Sequence, residues 1–136
     1  MNQSANCAWT NKECDVNRIA VTSEGPSLDD QVDPRFGRAA GFVIVDLDTM
    51  DTDYIDNGQT QVMAQGAGIQ AAQLIAGAGV GCLLTGYVGP KAFQALSAVG
   101  IKVVQNLEDL SVREALERFK TGDLPIAKEP NREAGR

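Results

Sequence analysis

Histidine is absent from this 136-residue chain. That removes the commonest metal ligand and the commonest general base, and with them every Ser–His or Cys–His nucleophile pair. Basic residues are outnumbered. Twelve Lys and Arg stand against eighteen Asp and Glu, for a net charge of −6. A nucleic-acid module normally presents a basic face, so that class is disfavoured. No apolar run approaches the roughly 18 residues of a membrane span. Aromatics are few: four Phe, two Tyr and one Trp, against fourteen glycines. That balance suggests tight loops and close helix–sheet packing rather than large aromatic clusters. Residues 1–17 have neither a basic start nor an apolar centre, so no secretory signal is expected there. The three cysteines, Cys7, Cys14 and Cys82, then read as cytosolic thiols rather than a disulfide framework, and a cytoplasmic location is the expectation.

What is present suits one domain with short flanks. A chain near this size buries roughly two-thirds of its unfolded surface, enough for a real core. We expect a flexible N-terminal extension over 1–17, an α/β domain over 18–122 and a polar C-terminal tail over 123–136. Cys7 and Cys14 lie in the extension near Trp9. Their spacing is not that of a zinc knuckle and no second pair exists, so two incidental thiols is the simpler reading.

Along the domain, Arg18–Ser23 reads as a first strand, ended by the turn signal Glu24-Gly25-Pro26. A long irregular connection carries Asp33-Pro34-Arg35-Phe36-Gly37-Arg38. Gly41–Leu47 is a β-branched strand, and Thr52–Asp56 returns from it as an antiparallel hairpin. A polar loop over Asn57–Gln65 leads to a helix from about Gly68 to Ala78, with Ile69, Ala72 and Ala76 on one face and Leu74, Ile75 and Ala78 widening it. Its Ala and Gly content implies a close approach to the sheet. Val80–Thr85 is a fourth strand. Pro90 suits the first position of a second helix, which Gly100 ends. Ile101–Gln105 is a fifth strand. Ser111 and Glu114 spell a capping box before Val112, Ala115, Leu116 and Phe119, which repeat at helical spacing up to Gly122. The order β-β-β-α-β-α-β-α implies a mixed five-stranded sheet, its second strand antiparallel to its neighbours and helices on both faces.

The chemistry such a chain offers is limited. Cys82 sits mid-strand and reads as a buried thiol packing as a small apolar group. Asp29, Asp30, Asp33, Asp46, Asp48, Asp51, Asp53 and Asp56 fall mostly in turns, where Asp is expected anyway. The first strand carries no acid, which counts against a metal-dependent nuclease. Anion binding fits better. Gly66 and Gly68 precede one helix, and Gly86 and Gly89 precede another. Helix N-termini offer unpaired N–H groups and partial positive charge, and glycine admits a ligand close to the backbone. Arg35 and Arg38 flank Phe36-Gly37 in the loop after the first strand, on the same expected edge. On the residues alone a plain scaffold fits equally well, with glycines serving turns and Asp33 pairing with Arg35 or Arg38. Neither glycine turn completes a dinucleotide or P-loop pattern.

Three segments carry more. Arg18-Ile19-Ala20-Val21-Thr22-Ser23-Glu24-Gly25, the Arg35–Ala39 run, and Gly86-Tyr87-Val88-Gly89-Pro90-Lys91-Ala92-Phe93 together resemble the dinitrogenase iron–molybdenum cofactor biosynthesis family. That family takes in NifX-like accessory proteins, the C-terminal part of NifB and the orange proteins of sulfate-reducing bacteria. The resemblance spans about Arg18 to Gly122. It implies a three-layer α/β/α, ribonuclease-H-like fold without nuclease activity. It also implies non-enzymatic binding of a preformed anionic metal–sulfur cluster, either a Mo–Cu sulfide cluster of the orange-protein type or an iron–molybdenum cofactor precursor. Some members carry histidines before the first helix; here the place reads Gln61-Val62-Met63-Ala64-Gln65, which favours the orange-protein type. The expected cofactor-binding residues are Arg35, Phe36, Gly37, Arg38, Gly66, Gly68, Gly86, Gly89 and Lys91, with no residue ligating metal directly. Cluster-assembly or ATPase proteins are candidate partners. A cofactor-free interaction or regulatory module using the same edge is the alternative.

Overall fold

The computed structural model describes residues 18–57, 66–122 and 126. The extension with Cys7 and Cys14, the Gln61–Gln65 stretch and most of the C-terminal tail lie outside them. Among the described residues eight elements follow in the expected order: β1 (Arg18–Ser23), β2 (Gly41–Asp46), β3 (Thr52–Asp56), α1 (Ala67–Gly77), β4 (Cys82–Leu84), α2 (Pro90–Ala98), β5 (Lys102–Val104) and α3 (Val112–Thr121). The sheet order is β3-β2-β1-β4-β5. β2 runs antiparallel to both β1 and β3, while β1–β4 and β4–β5 are parallel. One strand therefore opposes the other four, as the element order implies.

Strand alternation divides the core into two layers. Ala20, Phe42, Ile44, Leu83 and Val103 face α1 and α2, where Ala71, Ala72, Ile75, Ala92 and Leu96 complete one cluster. Ile19, Val21, Val43, Val45, Leu84 and Val104 face α3, where Val112, Ala115 and Leu116 complete the other. Cys82 is fully buried in that second layer. Two apolar layers around one sheet make a three-layer α/β/α domain.

Three expectations shift in detail. α1 begins at Ala67, one residue early, and buries Ala67, Ala71, Ala72 and Ile75. Ile69 points outward at 40% exposure. The reason is its neighbour Gly68: a Cβ there would fall 2.7 Å from the Ala92 Cβ, so the Gly68 side of the helix is the one pressed on α2. β4 and β5 are also shorter than their apolar runs. Their flanks still hydrogen-bond, Thr85 N–H to the Val104 carbonyl at 3.0 Å and Lys102 N–H to that of Gly81 at 2.9 Å. The capping box of α3 is present in both directions: Ser111 Oγ accepts from Glu114 N–H at 3.1 Å, and Glu114 accepts from Ser111 N–H at 2.9 Å. Glu114 thus turns back to the cap.

Candidate functional site

Parallel β1, β4 and β5 all end at one edge of the sheet, and antiparallel β2 begins there, since Ser23 pairs with Gly41. The connections leaving that edge therefore converge. Backbone bonds join them. Tyr87 N–H donates to the Pro34 carbonyl at 2.6 Å, and Phe36 N–H donates to the Tyr87 carbonyl at 3.2 Å. This short parallel bridge between Arg35 and Tyr87 seats the Arg35–Arg38 loop beside the turn that opens α2. Gly86 is where the two chains touch. A Cβ on it would lie 2.8 Å from Pro34 Cα and from its carbonyl oxygen.

The next contact brings in α1. A Cβ on Gly37 would lie 2.8 Å from Gly68 N and 2.9 Å from Gly68 Cα. With Gly68 itself against Ala92, the loop, the α1 start and the α2 start form one contiguous cluster. The structure thus brings together Arg35, Phe36, Gly37, Gly68 and Gly86, with Gly66 as N-cap of α1, Gly89 as N-cap of α2 and Lys91 in the α2 first turn. Arg38 lies half-buried within the same loop. The glycines serve unlike ends. Gly37, Gly68 and Gly86 are required by close packing and Gly66 by its left-handed φ of 76°, while Gly89 has open space where a side chain would stand. Phe36 is 2% exposed and packs its ring 5.8 Å from Phe42, so it anchors the loop in the core rather than facing outward.

The two helix starts differ from that of α3. Neither Gly66 nor Gly89 provides a side-chain cap, and neither first turn holds an acid. The first-turn N–H groups of a helix have no intrahelical partner, and the macrodipole places partial positive charge on them. Lys91 deepens this, because a cation in the first turn opposes the dipole. Two adjacent helix starts are therefore both left positive at one place. The acidic chain concentrates cationic character here, and conflict between local rules of this kind is expected at functional positions.

Asp33 arranges the loop. It is 2% exposed, and its carboxylate accepts from Arg35 N–H at 3.1 Å, Arg35 Nε at 3.3 Å and Ala40 N–H at 3.2 Å. The plain pairing expected for Asp33 is thus real for Arg35, whose side chain stays 54% exposed. One edge of the guanidinium is held while the rest faces solvent. Beneath the loop, Thr22 Oγ1 donates to the Asp33 carbonyl at 2.7 Å and lies 2.9 Å from Thr85 Oγ1, tying β1 and β4 to it. Asn57 also holds the loop, through bonds from its side chain to the Gly37 and Ala39 carbonyls. Sequence reasoning placed Asn57 only at the start of a polar loop. Its position directly after a strand that ends on this edge was the available signal. At the margin, the Tyr54 phenol lies over Gly41. Burial pushes its pKa up, and the charges of Asp56, Asp30 and Asp33 push it the same way.

Among the described residues no three of His, Cys, Asp or Glu gather as metal ligands. Cys82, the cysteine within the domain, is fully enclosed by the second core layer. The edge offers N–H groups and the cationic side chains of Arg35, Arg38 and Lys91; the Asp33 carboxylate is taken up by Arg35 and the Ala40 N–H, and the Glu108 side chain lies beside Gly86. Such a set suits an anion whose metals already have their ligands. It does not suit a bare metal ion, which demands lone pairs.

Fold and site together define a three-layer α/β/α domain with a glycine-built sheet edge that gathers Arg35, Arg38 and Lys91. Residues 17–122 match the family model described as dinitrogenase iron-molybdenum cofactor, and the chain belongs to that family. It is similar to the orange protein of Desulfovibrio gigas, solved in its apo form, with 63% identity and a TM-score of 0.85 over 86% of this chain and 98% of that one. A putative NifB protein from Thermotoga is 34% identical, with a TM-score of 0.71 over 81% of this chain and 92% of that one. An uncharacterised protein of Methanocaldococcus jannaschii is 30% identical over 102 residues, which is 73% of this chain and 85% of the relative.

Proposed function

We propose that this protein binds and carries an anionic, molybdenum-containing metal–sulfur cluster of the Mo–Cu sulfide type. The cluster is held by hydrogen bonds and charge, without a protein ligand to metal. The observation that carries this reading is the contact of two uncapped, acid-free helix starts at Gly68 and Ala92 beside the Arg35–Arg38 loop. Backbone amides of α1 and α2 would meet the sulfide surface, and Arg35, Arg38 and Lys91 would balance its charge. Gly89, with open space at its Cα, lets the cluster approach the α2 start. Phe36, Gly37, Gly66, Gly68 and Gly86 shape the cradle. Likeness to the orange protein favours this type of cargo over an iron–molybdenum cofactor precursor.

The role is carriage rather than catalysis. The chain has no histidine for acid–base work, and its edge presents donors and cations rather than paired carboxylates. Residues 18–122 form the binding unit. Among the described residues no helix is long and apolar enough to cross a membrane. A cytoplasmic carrier that hands its cluster to assembly or ATPase proteins fits these features.

Reconstitution with tetrathiomolybdate and copper tests the proposal. Wild type is expected to develop visible charge-transfer bands with stoichiometric metal. The Arg35→Ala, Arg38→Ala double variant should bind at least tenfold more weakly, since a hydrogen bond to a charged group contributes about 1.5–3 kcal/mol and about 1.4 kcal/mol is tenfold in affinity. Absence of the bands, or equal binding by the double variant, overturns the site. Elemental analysis of protein from its native host separates the cargoes: Mo with Cu supports the sulfide cluster, Mo with Fe the precursor, and neither metal the cofactor-free module.

A further inference from the structure

Among the described residues three large apolar side chains are exposed: Met50, Val99 and Ile69, at 43%, 51% and 40%. A single apolar side chain in water is ordinary. Met50 and Val99 fit that description. Met50 lies in the β2–β3 turn and Val99 between α2 and β5. Both are at the sheet end opposite the site, where Arg18 pairs with Asp46 and Cys82 with Lys102. Ile69 stands in the first turn of α1, at the site edge.

Local rules favour another residue at that position. With Gly66 as N-cap, Ile69 is the third residue of the helix. The same place in α3 is Glu114, which accepts from the cap N–H and suits the positive helix end. A β-branched residue there adds neither a cap nor helix propensity. At 40% exposure it adds little to the core. A second rule is broken close by. Asn57, whose Nδ2 holds the Gly37 carbonyl, is 1% exposed, and its Oδ1 is buried without a hydrogen-bond partner. Departures of this kind gather where an edge is shaped by what it binds.

Helix geometry says what Ile69 covers. Ala71 and Ala72 are buried, and Gly68, which falls between them around the axis, is pressed on Ala92 of α2. At about 100° per residue, Ile69 comes just past Ala72, on the flank turned to α2. Helical side chains lean toward the N-terminus. Ile69 therefore overhangs the seam between the two uncapped helix starts.

The amides and arginines of this edge bind through charge and N–H donation, which serve an oxyanion as well as a thio-anion. An apolar contact tells the two apart. Against it, the oxygens of an oxyanion lose hydration and gain no donor in return. A sulfide surface is polarisable, and it gains dispersion contact with methyl groups.

We infer that Ile69 is a specificity-determining residue: its side chain forms an apolar rim over the α1–α2 seam that favours a sulfide-surfaced anion over an oxyanion of the same charge. The inference rests on the anion-site reading above and adds what selects the cargo there.

Tetrathiomolybdate and molybdate, alike in charge and tetrahedral shape, are the paired probes. Wild type is expected to bind tetrathiomolybdate more tightly. Ile69→Ala should weaken tetrathiomolybdate about four- to fifteenfold, the effect of one or two methylenes taken from water, while molybdate changes by no more than about twofold. Ile69→Leu should retain wild-type binding, and Val99→Ala, at the far end, should match wild type. A structural role for Ile69 would disturb the helix start and weaken both anions alike. That result, or an unchanged tetrathiomolybdate affinity, overturns the inference. Calorimetry at several temperatures gives a second readout, which decides the matter if molybdate binds too weakly to titrate. Apolar burial makes the heat capacity of binding negative, and Ile69→Ala should make it less so. An equal heat capacity overturns the apolar contact. If wild type binds no tetrathiomolybdate, the anion-site reading falls and the rim falls with it. If wild type binds it and Ile69→Ala binds it equally, the reading stands and the rim alone falls.

Discussion

Gly37→Ala places a methyl group between the arginine loop and the α1 start. The new Cβ would lie 2.8 Å from Gly68 N, 2.9 Å from Gly68 Cα and 3.2 Å from the Ala67 carbonyl carbon. All three atoms are backbone, so no rotamer change relieves the overlap, and the loop and helix must separate. Overpacking of this kind costs about 1–3 kcal/mol. Restricting the unfolded chain by replacing glycine returns about 0.4–1 kcal/mol. A net loss of about 1–2 kcal/mol is expected. In urea, with a slope of about 1–3 kcal/mol per molar, the unfolding midpoint should fall by about 0.3–2 M at unchanged slope. Gly89→Ala is the matched control. Nothing lies within 4 Å of its added Cβ, and its φ of −78° suits alanine. The weaker N-cap and the stiffer unfolded chain roughly cancel, so its midpoint should stay within about 0.5 kcal/mol of wild type. An unchanged midpoint for Gly37→Ala would mean that the loop and α1 are not in contact. Equal losses for the two variants would mean that the cost reflects glycine replacement at this edge in general, and the packing argument would be wrong.

Ser111→Ala removes the α3 cap and leaves the Glu114 N–H without its Ser111 acceptor; thermal unfolding should show a loss of about 1 kcal/mol. Thr85→Val keeps the side-chain shape but deletes the hydroxyl 2.9 Å from Thr22 Oγ1. It should cost about 1 kcal/mol by urea unfolding, because Thr22 still donates to the Asp33 carbonyl. Tyr54 has its pKa raised by burial and by Asp56, Asp30 and Asp33. The folded state therefore holds the phenolic proton at a pH where the unfolded chain, near 10, releases it. Its contribution is fully present below about pH 10 and is lost as pH rises through the folded-state value. Tyr54→Phe should flatten this alkaline limb of the stability curve, and an identical limb would refute the assignment.

Much of the architecture was legible because each junction carries its own local chemistry. The Ser111–Glu114 box, Pro90 at a helix start and Gly100 and Gly122 at left-handed φ of 82° are all read from a few adjacent residues. The inner face of α1 was harder. Ile69 looks like a core residue by type, but the 2.7 Å approach at Gly68 sets the helix rotation instead, and that contact belongs to another helix. The glycines at the edge were incompletely explained. A glycine that admits a ligand and one that admits a neighbouring backbone look alike in sequence, and Gly37, Gly68 and Gly86 are of the second kind. Asn57 escaped for a related reason. Its bonds reach carbonyls on a loop that precedes β2, and no local pattern encodes such a partner.

The parallel bridge between Arg35 and Tyr87 has a consequence for release. Arginine charge comes from chain that precedes β2, and helix-start amides come from chain that follows β3. On the proposed reading neither half is a binding site by itself, and the assembled sheet edge joins them. A ligand held there stabilises the native state in proportion to its affinity and has no foothold on the unfolded chain. Cargo retention and tertiary integrity then become one quantity. On the proposed reading, a partner that pries the bridge apart would discharge a bound cluster without ever touching it.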